Sequence, residues 1–408
     1  MKNYPYLLLL VLTLILVSCT KDSKKEEPIV NYITSPGNIG SSLPYLYSNN
    51  SKTLLSWVEK VNDSLSKLKF TELVKGKWQE PKEIITGTDW FVNWADFPAI
   101  AENNGQLLTH ILKKSSSETF SYDVKLNLFN KDDAEWKKDL ALHTDGTFSE
   151  HGFVTMLAYK DNSFFITWLD GRNTVDSSYS GGEHRGAMTI RAAEVSATGE
   201  ILNEIMLDNK TCDCCQTTAA ITDKGPIVIY RDRSDEEIRD MSIVRLIDGK
   251  WTAPKTIFND NWKIKGCPVN GPKAAVIGNN LAVAWFTAAD DQPKVNLVFS
   301  NDAGENFETP IVINNTNPMG RVDVVMIDAE NVLVSWMETF ENEAQIKVLK
   351  VHKSGKKSEP LVIASLASSR RSGFPQMELV NDRVYFAWTD ITNSVSTIKT
   401  AYVLLNKI

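Results

Sequence analysis

The feature that most constrains this chain is a short apolar run, ending on an aromatic residue and followed by a polar loop, that recurs along its whole length. It is read in Leu54-Leu55-Ser56-Trp57, Phe165-Ile166-Thr167-Trp168, Val228-Ile229-Tyr230 and Val283-Ala284-Trp285. It returns in Leu333-Val334-Ser335-Trp336 and Tyr385-Phe386-Ala387-Trp388, with a weaker copy in Leu107-Leu108-Thr109-His110. The anchors Trp57, His110, Trp168, Tyr230, Trp285, Trp336 and Trp388 follow one another at intervals of 51 to 62 residues. A period near fifty, filled with short strands, is the scale of one four-stranded propeller blade.

Each repeat has the same internal order. An inner strand such as Gln376 to Val380 comes first, the anchored strand second, and a third strand ends in a turn such as Asp248-Gly249. Asp-Gly and Gly-Lys turns supply the positive φ of tight hairpins. A fourth strand often opens with proline, at Pro81, Pro254, Pro310 and Pro360, which suits an outermost strand whose amides face solvent. The last repeat stops after its third strand, near residues 398–405. Pro28-Ile29-Val30-Asn31-Tyr32 reads like the missing fourth one. An N-terminal strand added to the last blade would close the ring and remove two exposed edges. The expectation is an all-β propeller of seven blades, or of six if the His110 repeat does not form one.

Composition adds little to that and excludes some functions. The 408 residues carry 44 basic and 51 acidic side chains, a net charge of −7, with no basic stripe, so nucleic acid is not an expected partner. Lys2 and the apolar run Leu7 to Val17 read as a signal peptide over residues 1–18, too short for a comfortable transmembrane helix. The run ends in Leu16-Val17-Ser18-Cys19, which resembles a bacterial lipobox. That resemblance implies cleavage before Cys19, a diacylglycerol (palmitate-type) lipid on its thiol, a polar tether over 19–27 and a single propeller domain over 28–408. With Thr20 after the lipidated residue, it also implies an envelope protein anchored to the outer-membrane bilayer.

Ser300-Asn301-Asp302-Ala303-Gly304-Glu305-Asn306-Phe307 matches Ser-x-Asp-x-Gly-x-x-aromatic, at the expected turn between third and fourth strands. This resembles the Asp box of the sialidase-like, BNR-repeat propellers, where Ser300, Asp302, Gly304 and Phe307 would be structural. The resemblance implies an exo-α-sialidase-type protein that binds or hydrolyses glycans. Such enzymes clamp a carboxylate with three arginines and use a carboxylate-backed tyrosine as nucleophile beside an acid. Their early Arg-Ile-Pro-type motif has no counterpart here.

The register of the repeats places the loops before first strands and after second strands at one rim. Those segments hold Asp96, Glu150-His151, Cys212 to Cys215, Cys267, Arg321 and Arg371, together with Asp170, Arg231-Asp232, Asp290, Glu338 and Asp390. Arg231, Arg321 and Arg371 are candidates for an anion clamp, with Asp232 as a carboxylate beside it. The alternative is that the arginines pair with Asp232, Asp323, Glu338 or Asp390. Tyr179 and Glu183, on the long loop near 171–187, are candidates for a nucleophile pair. Cys212, Cys214, Cys215 and Cys267 open neighbouring blades; they read either as disulfides or as a Cu or Zn site completed by His184 or His151. Two functions follow from these residues: a glycan-binding or glycan-hydrolysing propeller, and a non-catalytic propeller that binds a metal ion or a protein partner through its cysteine-bearing rim.

Overall fold

The computed structural model describes residues 28–49, 51–175 and 186–408. Its strands pair into seven antiparallel sheets, one for each aromatic anchor. Blade 1 runs through Ser41–Ser48, Thr53–Lys60, Ser66–Val74 and Lys82–Gly87, and blade 2 through Ile100–Asn103, Gln106–Lys114, Tyr122–Asn130 and Glu135–Ala141. Blade 3 comprises His151–Ala158, Phe164–Asp170, Thr189–Val195 and Ile201–Asp208; blade 4 comprises Thr218–Thr222, Gly225–Arg231, Met241–Ile247 and Lys255–Phe258. Blade 5 is built from Lys273–Ile277, Asn280–Thr287, Lys294–Ser300 and Ile311–Val312, and blade 6 from Pro318–Met326, Asn331–Phe340, Glu343–His352 and Leu361–Ala367. Blade 7 has Gln376–Val380, Arg383–Thr392 and Val395–Leu404.

The fourth strand of blade 7 is Asn31–Ile33, antiparallel to Val395–Leu404 with Tyr32 opposite Ala401. The ring is therefore closed by the N-terminal segment. The first strand of every blade touches that of the next, and the first strands of blades 7 and 1 touch as well. The His110 repeat forms a full blade, so the count is seven and not six. His110 sits fully buried in the second strand, where the other anchors are tryptophan or tyrosine.

Among the described residues, the buried apolar side chains fall into seven clusters, and each lies between two neighbouring blades. A twisted four-stranded sheet has two faces, and in a propeller both are covered by neighbours, which is why the second strands are apolar almost throughout. Trp57, Trp168, Trp285 and Trp336 are each at most 1 % exposed in these layers.

The inner strands of blades 1, 3 and 6 each carry a bulge at a non-glycine residue in the left-handed region: Leu43 (φ 58°), Phe153 (φ 53°) and Arg321 (φ 53°). A bulge takes its amide out of the ladder, so the amide needs another acceptor. The acceptor comes from a neighbouring blade each time. Leu43 N donates to Thr389 Oγ1 (3.0 Å), Phe153 N to Asp96 Oδ1 (2.8 Å) and Arg321 N to Asn270 Oδ1 (2.8 Å).

In the turn of blade 5, the Ser300 hydroxyl accepts from Gly304 N (3.0 Å) and donates to Asp302 Oδ1 (2.8 Å), while Asp302 accepts from Asn306 N and Nδ2 (both 2.9 Å). Partial burial opposes ionisation of Asp302, but these donors outweigh it and bring the carboxyl down to about 2. Gly304 (φ 76°) has no room for a Cβ, which would come within 2.5 Å of Ile243. Phe307 packs into the layer between blades 4 and 5. Residues 1–27, with Cys19, lie outside the described residues. Among those that are described, no helix is long and apolar enough to cross a membrane.

Candidate functional site

A cavity of about 230 Å³ opens where the inner strands meet the rim loops. Tyr45, Phe97, Phe153 and Met156 supply its apolar wall; Asp96, Gln216, Thr217, Lys273, Asp323 and Glu378 supply polar groups. Such a mixture of aromatic surface and a few convergent polar groups is what small-ligand sites present.

Asp96 is the cavity's link to a buried acid cluster. It lies in the loop before the first strand of blade 2, and its Oδ2 accepts from the Tyr122 hydroxyl at 3.3 Å. The same hydroxyl is 2.6 Å from Glu150 Oε1. Tyr122 opens the third strand of blade 2, and Glu150 directly precedes the first strand of blade 3, so both reach the same rim. Phe91 stacks on the Tyr122 ring at 4.2 Å and seals its outer face. Burial pushes the Asp96 carboxyl up to about 8, with the Glu150 charge adding to it against the Phe153 amide. Burial likewise raises Glu150 to about 7, while the bond from Tyr122 works the other way and Asp213 adds repulsion. The Tyr122 phenol is raised well above its ordinary range by burial and by both carboxyls. At neutral pH the cluster thus holds an exchangeable proton beside the cavity.

Glu378, which also lines the cavity, accepts from Ser48 Oγ at 2.7 Å. Enclosure raises its carboxyl to about 8; Asp323 adds to the rise and Lys273 opposes it. The folded state then binds this proton more tightly than the unfolded chain. The group's contribution to stability is fully present in acid and falls as pH rises from the usual carboxylate range through 8. Glu378→Gln, which keeps an acceptor for Ser48, is expected to leave the urea midpoint nearly unchanged at pH 5. At pH 9 it should stabilise by on the order of 2 kcal/mol. Parallel pH profiles for the two proteins would contradict this.

Among the described residues, the arginines expected to converge do not share an acceptor, nor do they pair with the rim carboxylates. Arg231 is buried, and its guanidinium donates to three main-chain carbonyls, Arg239 O (2.6 Å), Phe286 O (2.7 Å) and Asn270 O (2.8 Å), over the face of Trp262. Arg321 is buried over Trp94 and Phe374 and donates to Gly373 O (2.8 Å); burial, with Arg370 nearby, lowers its pKa to about 10. Arg371 is exposed and reaches Ser394 O (3.3 Å). Asp232 accepts from Arg233 N and Ser242 Oγ, closing a turn. Asp323 caps the amides of Val324 and Met377 (2.9 and 2.8 Å), and Glu338 takes Lys347 and the Trp336 indole. The physical reason is local: loops between blades leave many carbonyls without ladder partners, and a planar five-donor fork satisfies several at once. Tyr179, Glu183 and His184 lie outside the described residues.

The four cysteines are free thiols rather than the expected disulfides. The sulfur atoms of Cys212, Cys214 and Cys215 lie within 4.8 Å of one another, and Cys212 Sγ is 3.6 Å from Cys215 Sγ, well beyond a bonded pair. Arg239 Nη1 donates to Cys212 Sγ at 3.1 Å. Hydrogen bonds from Cys214 and Cys215 hold the Cys212 thiol well below its ordinary pKa. Those with Cys212, Cys215 and Cys267 raise the pKa of Cys214. Gln216, next in sequence, lines the cavity and ties it to this loop by donating to Ala95 O (2.6 Å) and accepting from Gly271 N (3.1 Å).

His151 does not join the cysteines. It stacks on His143 at 3.8 Å and faces Asp145 (3.4 Å) and Asp170 (3.7 Å). Burial opposes protonation of His151, yet Asp145 and Asp170 raise its pKa; burial and His151 lower that of His143. Asp123, His143 and His151, and Asp145, His151 and Asp170, each bring ligand atoms within 4.8 Å. Arg172 already holds both oxygens of Asp170, each at 2.7 Å, so a cation in the second group would have to displace a guanidinium.

No protein-family model matches the chain, and no curated protein matches it. Solved structures do. An ulvan lyase of polysaccharide lyase family PL25 superposes with TM-score 0.57 at 10 % identity, covering 92 % of this chain and 96 % of that one. The chain is a seven-bladed β-propeller. A Hadza microbial sialidase matches with TM-score 0.50 at 13 % identity over 85 % and 75 % of the two chains. An α-L-arabinofuranosidase from Fusarium graminearum matches with TM-score 0.50 at 12 % identity over 93 % and 98 %. At such identities the likeness establishes the propeller fold, and propellers host many chemistries.

Proposed function

We propose that this protein is an envelope-anchored propeller that binds and cleaves a glycan at the mouth of its channel, with Asp96 as the acid. The observation that carries this reading is the chain Asp96–Tyr122–Glu150, in which a cavity-lining carboxyl shares a buried tyrosine hydroxyl with a second carboxyl. The anchoring rests on Leu16-Val17-Ser18-Cys19 and the polar tether after it. The glycan class is supported by what the superposing proteins are named for: a polysaccharide lyase, a sialidase and an arabinofuranosidase.

Cleavage of a glycosidic bond needs a proton delivered to the leaving oxygen. A carboxyl near 8 is protonated at pH 7 and stands at the cavity wall. Tyr122, with no exposed surface, cannot reach a sugar as a nucleophile. It can pass a proton between Asp96 and the half-buried Glu150, which restores the acid after each turnover. The sialidase-like resemblance implies a carboxylate-backed tyrosine and a separate acid. Tyr122, Glu150 and Asp96 are of those types, while Arg231, Arg321 and Arg371 spend donors on main-chain carbonyls. The reading therefore favours a glycan recognised through hydroxyl groups and ring stacking over one held by a carboxylate clamp.

The test is turnover of a fluorogenic sialoside, an α-L-arabinofuranoside and ulvan by the purified chain. Asp96→Asn keeps an acceptor for the Phe153 amide, as Asn270 does for Arg321 in blade 6, so it should fold. It is expected to lose about 10²-fold or more in kcat. Glu150→Gln removes a charge that raises Asp96, so the alkaline limb of the pH profile should move to lower pH. A folded protein that neither retains nor turns over any of the three glycans would overturn the reading.

A further inference from the structure

We infer that Cys212, Cys214 and Cys215, with Cys267 from the next blade, form a thiolate site for a soft d¹⁰ cation, Cu⁺ or Zn²⁺. The inference is independent of the glycan reading, since none of the four thiols belongs to the Asp96–Tyr122–Glu150 cluster.

Three sulfur atoms within 4.8 Å of one another already stand near the spacing that a metal imposes. With metal–sulfur bonds of about 2.3 Å, tetrahedral sulfurs lie roughly 3.8 Å apart. The Cys212–Cys215 separation is 3.6 Å, too long for a disulfide and within a few tenths of that spacing. Neighbouring Cys214 and Cys215 are poorly placed to bond to each other. Cys214 is half-buried beside the buried Cys212 and Cys215, and Cys267, on the loop that leads to Asn270, is exposed, so the cluster has a deep side and a side open to an entering ion.

The surrounding charge suits bound thiolates. Several thiolates with one Cu⁺ or Zn²⁺ leave a net negative site. Arg239 reaches Cys212 Sγ at 3.1 Å, and its buried Nε has no partner among the described residues. Glu237 holds the Arg239 guanidinium at 2.9 Å, and Arg233 sits 3.5 Å from Asp213. The two loops are also fastened to each other. Cys212 N donates to Arg231 O (3.0 Å), and the Arg231 guanidinium donates to Arg239 O and to Asn270 O, three residues beyond Cys267. Arg231 is thus a positioning residue that holds both sulfur-bearing loops in one place. Thiolate ligands select soft cations over Mg²⁺ or Ca²⁺.

The experiment uses the full chain, purified with reductant under anaerobic conditions and stripped of metal. It is then titrated separately with Cu⁺ and Zn²⁺ against competing chelators. One equivalent of one or both cations should bind, with a sulfur-only first shell in X-ray absorption and loss of reactivity of the four thiols towards a thiol reagent. The arm with tighter binding names the cation. The double variant Cys212→Ser, Cys215→Ser should weaken binding at least 100-fold. Cys267→Ser, which changes an exposed position and spares every blade core, should weaken it about tenfold with an unchanged circular dichroism spectrum. A reduced protein that takes up neither cation, or that binds as tightly after Cys214→Ser and Cys267→Ser, overturns the inference. Loss of metal binding with glycan turnover intact would leave the acid cluster's role standing on its own.

Discussion

Arg231→Ala is expected to lower the stability of the folded protein by about 4 kcal/mol or more, a larger effect than a typical surface arginine has. The side chain is 1 % exposed and has no carboxylate partner among the described residues. Instead it satisfies Arg239 O, Phe286 O and Asn270 O, which belong to blade 4, to the second strand of blade 5 and to the loop before blade 5. Truncation orphans three buried carbonyls, each costing about 1–3 kcal/mol if no water replaces the donor, and removes the cation lying 4.8 Å over Trp262. Lysine cannot reproduce a planar fork that bonds in three directions, so Arg231→Lys should recover less than half of the loss. Urea unfolding followed by tryptophan fluorescence measures both variants. A loss below 1 kcal/mol for alanine, or wild-type stability for lysine, would show that the carbonyls find other donors.

Trp336→Ala is expected to cost about 3–5 kcal/mol, and Trp336→Phe about 1 kcal/mol. The ring is 1 % exposed between blades 5 and 6, against Val295, Leu297 and Val324, where a cavity has rigid strand walls that do not collapse. Its indole also donates to Glu338 Oε2 at 3.0 Å, and Lys347 takes the other oxygen at 2.5 Å. Phenylalanine keeps most of the volume but leaves that buried carboxylate short of a donor. Trp57 supplies the control, because its buried Nε1 has no partner among the described residues. Trp57→Phe should therefore cost less than Trp336→Phe. Thermal unfolding of the three single variants reads the comparison, and equal losses for the two phenylalanine variants would contradict the role given to the Glu338 bond.

The propeller was legible because its cause is local and repeated. Every blade needs a second strand buried on both faces, so an apolar run with a large aromatic recurs, and the period survives where one anchor is His110. The closing strand was legible for a similar reason: blade 7 lacked a partner for Val395–Leu404, and residues near Pro28 were the free strand, although the pairing covers Asn31–Ile33 and not Pro28 to Tyr32. The rim register also brought Asp96 and Glu150 forward. Tyr122 escaped it, since it begins a third strand, and the beginning of a third strand returns to the same rim as the end of a second.

The partners of the polar side chains were not legible. Arg231 reads in sequence as an anion ligand as readily as a carbonyl clasp. His151 reads as a metal ligand until Asp145, Asp170 and Arg172 are seen around it. The four cysteines read equally well as disulfides or as ligands until the sulfurs of Cys212, Cys214 and Cys215 are seen together. By itself the sequence determined the repeating sheets, their strand order and the way the ring shuts, because hydrophobic periodicity and turn chemistry act between residues close along the chain; that the weak His110 repeat makes a seventh sheet was decided by the fold. Only the tertiary structure decided which charges face the cavity, which serve the main chain and which sulfurs converge, because those partners come from different blades, tens to hundreds of residues apart, and burial sets their protonation.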